Sequence, residues 1–132
     1  MMRMNVATLA SNFAHWLDGG LKQRIPAEVR AFNFNLYEGV SCTWDIELTG
    51  ATAFDSADPD WACDPVFFYS EMFFMSREVI GDEWEQGLVA AIELLTMYLQ
   101  VGKSRDVLRD SLAVGVGFVD GDITILWPES VA

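Results

Sequence analysis

Four aspartates, Asp55, Asp58, Asp60 and Asp64, share the stretch DSADPDWACDPVF with Trp61 and Cys63. Carboxylates at this density are hard oxygen ligands of the kind calcium takes. The spacing departs from the EF-hand loop, which needs a glycine at its turn and a glutamate at its end. Pro59 and Pro65 also stiffen the segment. Zinc needs another ligand set, and one His with two separated Cys does not provide it. The sequence therefore predicts no metal and no cofactor. A Cys63–His15 pair could act as nucleophile and base. But His15 aligns with Thr8 and Ser11 on the polar side of a helix, and nothing in the spacing brings it to Cys63. The expected state is an exposed imidazole and a buried thiol. Gly115-Val-Gly117 would sit inside a strand, not between a strand and a helix, so it is not a phosphate loop. Glycines there admit another backbone or a large ring. No catalytic residue is assigned, and the chain reads as a non-enzyme.

As structure, the loop divides into anchors and surface. Trp61 and Phe67 are expected to hold it to the edge of the core, with Cys63 filling the space beside them. Asp55 and Asp58 precede turns and can accept backbone N–H groups there. Asp58, Asp60 and Asp64 are then left to face outward. Asp45 and Glu47, on the polar side of a strand, extend the negative surface, with Glu38 and Glu71 beyond. Tyr37 and Asn35 fall on the same side, and Tyr37 offers an aromatic contact at the centre of an interface.

These side chains need elements to carry them. Val6, Leu9, Ala10, Phe13, Trp16 and Leu17 recur at helical spacing, which predicts a helix over 5–17 stopped by Asp18-Gly-Gly. Phe32, Phe34 and Leu36 alternate with Asn33, Asn35 and Tyr37. Cys42, Trp44, Ile46 and Leu48 alternate with Thr43, Asp45, Glu47 and Thr49. The two runs form a hairpin turning near Glu38-Gly39. Val66 to Met75 predicts a third strand. A second helix is expected over 83–101, with Asp82 as N-cap, Gly102 as stop, and Trp84, Leu88, Ile92, Leu95 and Leu99 as its buried stripe. Ser104 to Leu112 adds a helical turn or two. Val114, Val116 and Phe118 lead through Asp120-Gly121 to Ile123, Ile125 and Trp127, a second hairpin. The prediction is one α+β domain over 1–132. Its sheet is mostly antiparallel, with about five strands and two hairpins, and two main helices cover the apolar face.

A chain of 132 residues, 52% hydrophobic with nine Phe and five Trp, is large enough for one packed core. No run is long and apolar enough for a membrane span, and the N-terminal residues lack a clean signal-peptide pattern, so a soluble cytoplasmic protein with free Cys42 and Cys63 is expected. The net charge is −12. It is concentrated in residues 35–102, where Arg77 stands against thirteen acidic side chains. Such a charge repels nucleic acid and anionic lipid and favours a basic protein.

The segments FNFNLYEG, WDIELTG, DPDWACDPVF and GVGFVDGDI, spread over roughly residues 30–127, resemble small acidic bacterial immunity proteins of polymorphic and contact-dependent toxin systems. That resemblance implies a cytoplasmic, non-catalytic protein that neutralises a toxin domain, often a basic nuclease. It carries over no contact residue. The expectation is an immunity-type protein that meets its basic partner through Tyr37, Asp45, Glu47, Asp58, Asp60 and Asp64. The alternatives are a small ligand-binding domain or enzyme with an acidic pocket, and a structural protein that self-associates as a homodimer through the aromatic segment Phe67 to Phe74.

Overall fold

The computed structural model describes residues 6–129, with the Val6 side chain left aside; Asn5, the first residue of the expected helix, lies outside them. The elements run α1 (Val6–Leu21), β1 (Ala31–Glu38), β2 (Thr43–Ala51), β3 (Phe67–Phe68), β4 (Phe73–Ser76), α2 (Arg77–Ile80), α3 (Trp84–Val101), α4 (Arg105–Arg109), β5 (Ala113–Phe118) and β6 (Thr124–Trp127). Together they form the expected α+β fold.

The sheet has six strands in the order β3-β2-β1-β5-β6, with β4 also on the outer edge of β2. Strand alternation builds its two faces. The register sets Phe34 beside Leu48 and Val116, and Leu36 beside Ile46 and Phe118, on the inner face. Phe13, Trp16 and Leu17 of α1, with Ala91, Leu95 and Tyr98 of α3, join this face in a single core cluster. Asn33, Asn35, Tyr37, Asp45, Glu47 and Thr49 stand on the other side.

Four of the five strand pairings are antiparallel, as expected. The fifth, β1 with β5, is parallel. The chain between β2 and β5 carries α3 across one face and returns in the direction of β1, as a parallel pair requires. The carboxyl ends of β1 and β5 therefore open at the same end of the sheet.

Several expectations are corrected. α1 does not stop at Asp18-Gly-Gly but continues to Leu21. Its glycines bring the helix onto the sheet: a Cβ on Gly20 would stand 2.7 Å from the Tyr69 ring and 2.9 Å from Leu48. The third strand is two short strands: Tyr69 N–H still donates to the Leu48 carbonyl at 3.0 Å, but Ser70–Met72 leaves the sheet before β4 begins. Glu83, not Asp82, caps α3; its N–H donates to Gln86 Oε1 at 3.0 Å, while Asp82 pairs with Arg77 at 3.4 Å. Trp84 is not part of the buried stripe, being 54% exposed. Leu95 and Leu99 are buried as expected, Leu88 and Ile92 are half-buried against the core, and Gly87, Ala91, Leu94 and Tyr98 complete the buried arc of α3.

Candidate functional site

The acidic loop folds back over the outer face of the sheet. Its anchor is Trp61, half-buried, with its ring edge-on to Phe54 at 5.1 Å. The ring lies above Gly115, where a Cβ would stand 3.0 Å from it. At Gly117 the close neighbour is backbone, since a Cβ would meet the Asp122 carbonyl oxygen at 2.3 Å. A ring at one glycine and a backbone at the other are what the sequence leads one to expect of these two positions. Phe67 is the second anchor and is buried in the core. Cys63 is not an anchor. It is an exposed free thiol that donates to Asp60 Oδ1 at 3.8 Å. Residual desolvation, and then the charges of Asp60, Asp64 and Asp58, push that thiol's pKa up, which disfavours a reactive thiolate. His15 is exposed on α1, which packs on the inner face, away from the loop.

The loop's carboxylates organise the loop itself. Asp55 Oδ1 accepts the Ala57 N–H at 2.9 Å, and Asp58 Oδ1 accepts the Asp60 N–H at 2.9 Å, as short polar side chains before turns do. Asp58, Asp60 and Asp64 remain exposed. Among the described residues, no three His, Cys, Asp or Glu side chains converge as a metal-holding group.

On the open part of the outer face, Tyr37 and Glu47 are joined. The Tyr37 hydroxyl donates to Glu47 Oε1 at 2.7 Å, and Asn35 Nδ2 donates to the same oxygen at 3.2 Å. Asn33 in turn donates to Asn35 at 2.8 Å. Glu47 is thus bound within the sheet, whereas among the described residues Asp45 accepts the Thr43 hydroxyl alone. Two rings, expected only within the self-associating segment Phe67 to Phe74, belong to this face. Phe74 lies opposite Asp45 and Phe68 opposite Thr49, so both rise on this outer face, 61% and 58% exposed. Alternation within the run FFYSEMFFMS could have separated them from buried Phe67, Tyr69 and Phe73.

Two clefts meet at the β5–β6 turn. One, of about 490 Å³, lies between the acidic loop (Asp58, Asp60, Trp61) and the turn (Asp120, Asp122, Ile123). The other, of about 660 Å³, opens on the far side of the turn and takes in Tyr37 and Glu38 at the end of β1. Asp120, Gly121 and Asp122 wall both. The sequence marks these residues only as a turn, although two carboxylates flanking one glycine at a hairpin tip is a visible signal.

All three tyrosines donate to carboxylates: Tyr37 to Glu47, Tyr69 to Glu71 at 2.8 Å and Tyr98 to Asp18 at 2.5 Å. Burial first, then the carboxylate, raises all three phenols, with Tyr37 and Tyr98 pushed up to about 12. A phenol whose folded pKa is raised adds stability that is fully present below its unfolded pKa of 10.0. That contribution is lost as pH rises from there towards about 12. A near-ultraviolet titration should therefore show tyrosinate forming later in the native protein than in denaturant, and stability falling over that window. Glu47→Gln should advance the titration of one tyrosine only. Native tyrosines that titrate together with the denatured ones would remove these three pairings.

Fold and surface together define the class: an α+β domain whose mixed sheet is covered by helices on one side and carries acids and aromatic rings on the other. No protein family, no curated protein sequence and no solved structure matches the chain. None of the helices among the described residues is long and apolar enough to cross a membrane.

Proposed function

We propose that this protein is an immunity-type binding protein that masks a basic surface of a toxin domain. The observation that carries the reading is the company the acids keep. Asp45 stands beside the exposed Phe74 ring, and Asp58 and Asp60 stand beside Trp61 over the same face of the sheet. Protein interfaces combine aromatic anchors, which supply affinity, with a surrounding charge that steers encounter and sets specificity. An acidic surface that served solubility alone would have no need of exposed phenylalanines. Splayed, exposed loop carboxylates suit a broad basic partner better than an enzyme pocket, which needs convergent ones.

The test is capture from the organism of origin, with the intact protein as bait and mass spectrometry of what it holds. The expected catch is a basic polypeptide that is released by salt, because surface charge is screened over about 3 Å at 1 M. Recovery of no basic protein, or binding indifferent to salt, would overturn the reading.

The exposed Phe68 and Phe74 rings also favour pairing of two copies. Two copies meeting there would oppose like charges at Asp45, so such a dimer should tighten as salt is added. Sedimentation that shows a monomer at every salt concentration removes this second reading.

A further inference from the structure

The larger cleft carries an inference of its own, which rests on the reading of this protein as a binder of basic proteins. Three aromatic rings run through it in sequence. Trp84 meets the edge of Phe118 at 6.1 Å and 87°, and Phe118 meets Trp44 at 5.6 Å and 81°. Trp44 is buried, Phe118 half-buried and Trp84 exposed, so the series leads from the core out to the cleft wall. Trp16, Trp44 and Trp127 donate their indole N–H groups to main-chain carbonyls. Among the described residues Trp84 has no such partner and leaves a large apolar face with a free donor at the surface.

Charge selects the occupant. Glu38, Asp120 and Asp122 line the cleft, and its lining contains no basic side chain. The first turn of α3 opens nearby and by its dipole would favour an anion. That turn already holds Glu85, and Glu83 caps it. A tryptophan face next to carboxylates is a cation site, and a guanidinium is the cation that both stacks on a ring and forks to a carboxylate. The chain shows this stacking twice within itself, with Arg77 over Trp44 at 4.8 Å and Arg109 over Trp127 at 4.9 Å. The volume of about 660 Å³ lies in the range of ligand pockets. Yet three carboxylates would leave one small cation in excess negative charge, and the same turn walls the loop cleft behind it.

We infer that the cleft receives an arginine side chain of a basic polypeptide segment, which crosses the Asp120–Asp122 turn and sets a further basic side chain against Asp58 and Asp60. The interface thus extends from the outer sheet face around the hairpin tip to Trp84.

Three probes added to the full chain, followed by amide and indole NMR, test this: acetylated triarginine amide, its tricitrulline counterpart, and N-acetylarginine amide. Triarginine should shift the Trp84 indole and the amides of 119–122 saturably, and the amides of 56–60 with them. Trp84→Leu should weaken its binding about fivefold and Trp84→Phe should restore part of that. Tricitrulline should produce no saturable shift, and the single arginine should bind more weakly than the tripeptide. Equal binding of tricitrulline, or an unchanged affinity in Trp84→Leu, overturns the inference. Equal affinity for the single arginine makes the cleft a small-molecule site and overturns it too. If triarginine moves residues 56–60 but not Trp84, the arginine cleft falls and the proposed function stands. If captured partner and triarginine both fail to bind, both fall.

Discussion

Replacing Trp44 with alanine should lower the stability of this protein by about 3–5 kcal/mol. The indole is 1% exposed. It packs beside Phe118, lies under Arg77 and donates to the Gly81 carbonyl at 2.8 Å. Alanine would leave a cavity and a carbonyl deprived of its donor, two losses that fall on one site. Domains of this size have a total stability of about 5–15 kcal/mol, so the variant should be close to unfolding at moderate temperature. Denaturant unfolding should show the midpoint falling with little change in slope. Trp84→Ala makes the comparison informative, because that residue is at the exposed end of the same aromatic series. It should cost less than about 1 kcal/mol, near the range of surface substitutions. Similar losses at the two positions would mean that the ring series is not ordered from core to surface.

Gly20→Ala should also destabilise, by about 1–3 kcal/mol, although alanine is the better helix former. Helix propensity alone predicts a gain of about 1 kcal/mol at a glycine inside a helix. Here the new methyl would stand within 2.9 Å of the Tyr69 and Leu48 side chains, both buried under α1. Both side chains are buried and must shift to admit the methyl, so overpacking outweighs propensity. Asn12→Ala, on the exposed side of the same helix, should stabilise by a few tenths of a kcal/mol instead. The opposite signs of the two variants in one unfolding experiment form the test. A stabilised Gly20→Ala would show that α1 does not approach the sheet this closely.

The hairpins and the two long helices were legible because their signals are local. β1 and β2 alternate residue by residue, and an Asp-Gly pair marks the turn before β6. The parallel pairing of β1 with β5 joins residues about eighty positions apart and leaves no local pattern to read. Glycine misled in one place and informed in another. Gly19-Gly20 reads as a helix stop, since glycine is a poor helix former, yet contact with Tyr69 is what requires it. Gly115 and Gly117 inside a strand admit no ordinary turn reading, so close approach was the natural inference. On α3, the contact face towards the core begins with the small Gly87 and Ala91, and large apolar residues drew the expected stripe towards Trp84 instead. The anchors Trp61 and Phe67 could be read from apolar bulk in a polar loop. Cys63 could not, because the general preference of thiols for burial does not reveal that this loop turns its sulfur outward. Asp120 and Asp122 were hidden by their evident role in a turn.

A particular acidic surface, and not acidity in general, should hold the basic partner. This can be tested by comparing two triple charge reversals as bait beside the unaltered protein. Asp45→Lys, Asp58→Lys and Asp60→Lys change the outer face and its loop. Glu93→Lys, Asp106→Lys and Asp110→Lys make the same change in net charge on exposed positions of the helical side. With both variants folded by circular dichroism, the first should lose the basic polypeptide that the unaltered protein captures, and the second should keep it. Equal capture by the two would mean that net charge alone, and not this surface, holds the partner.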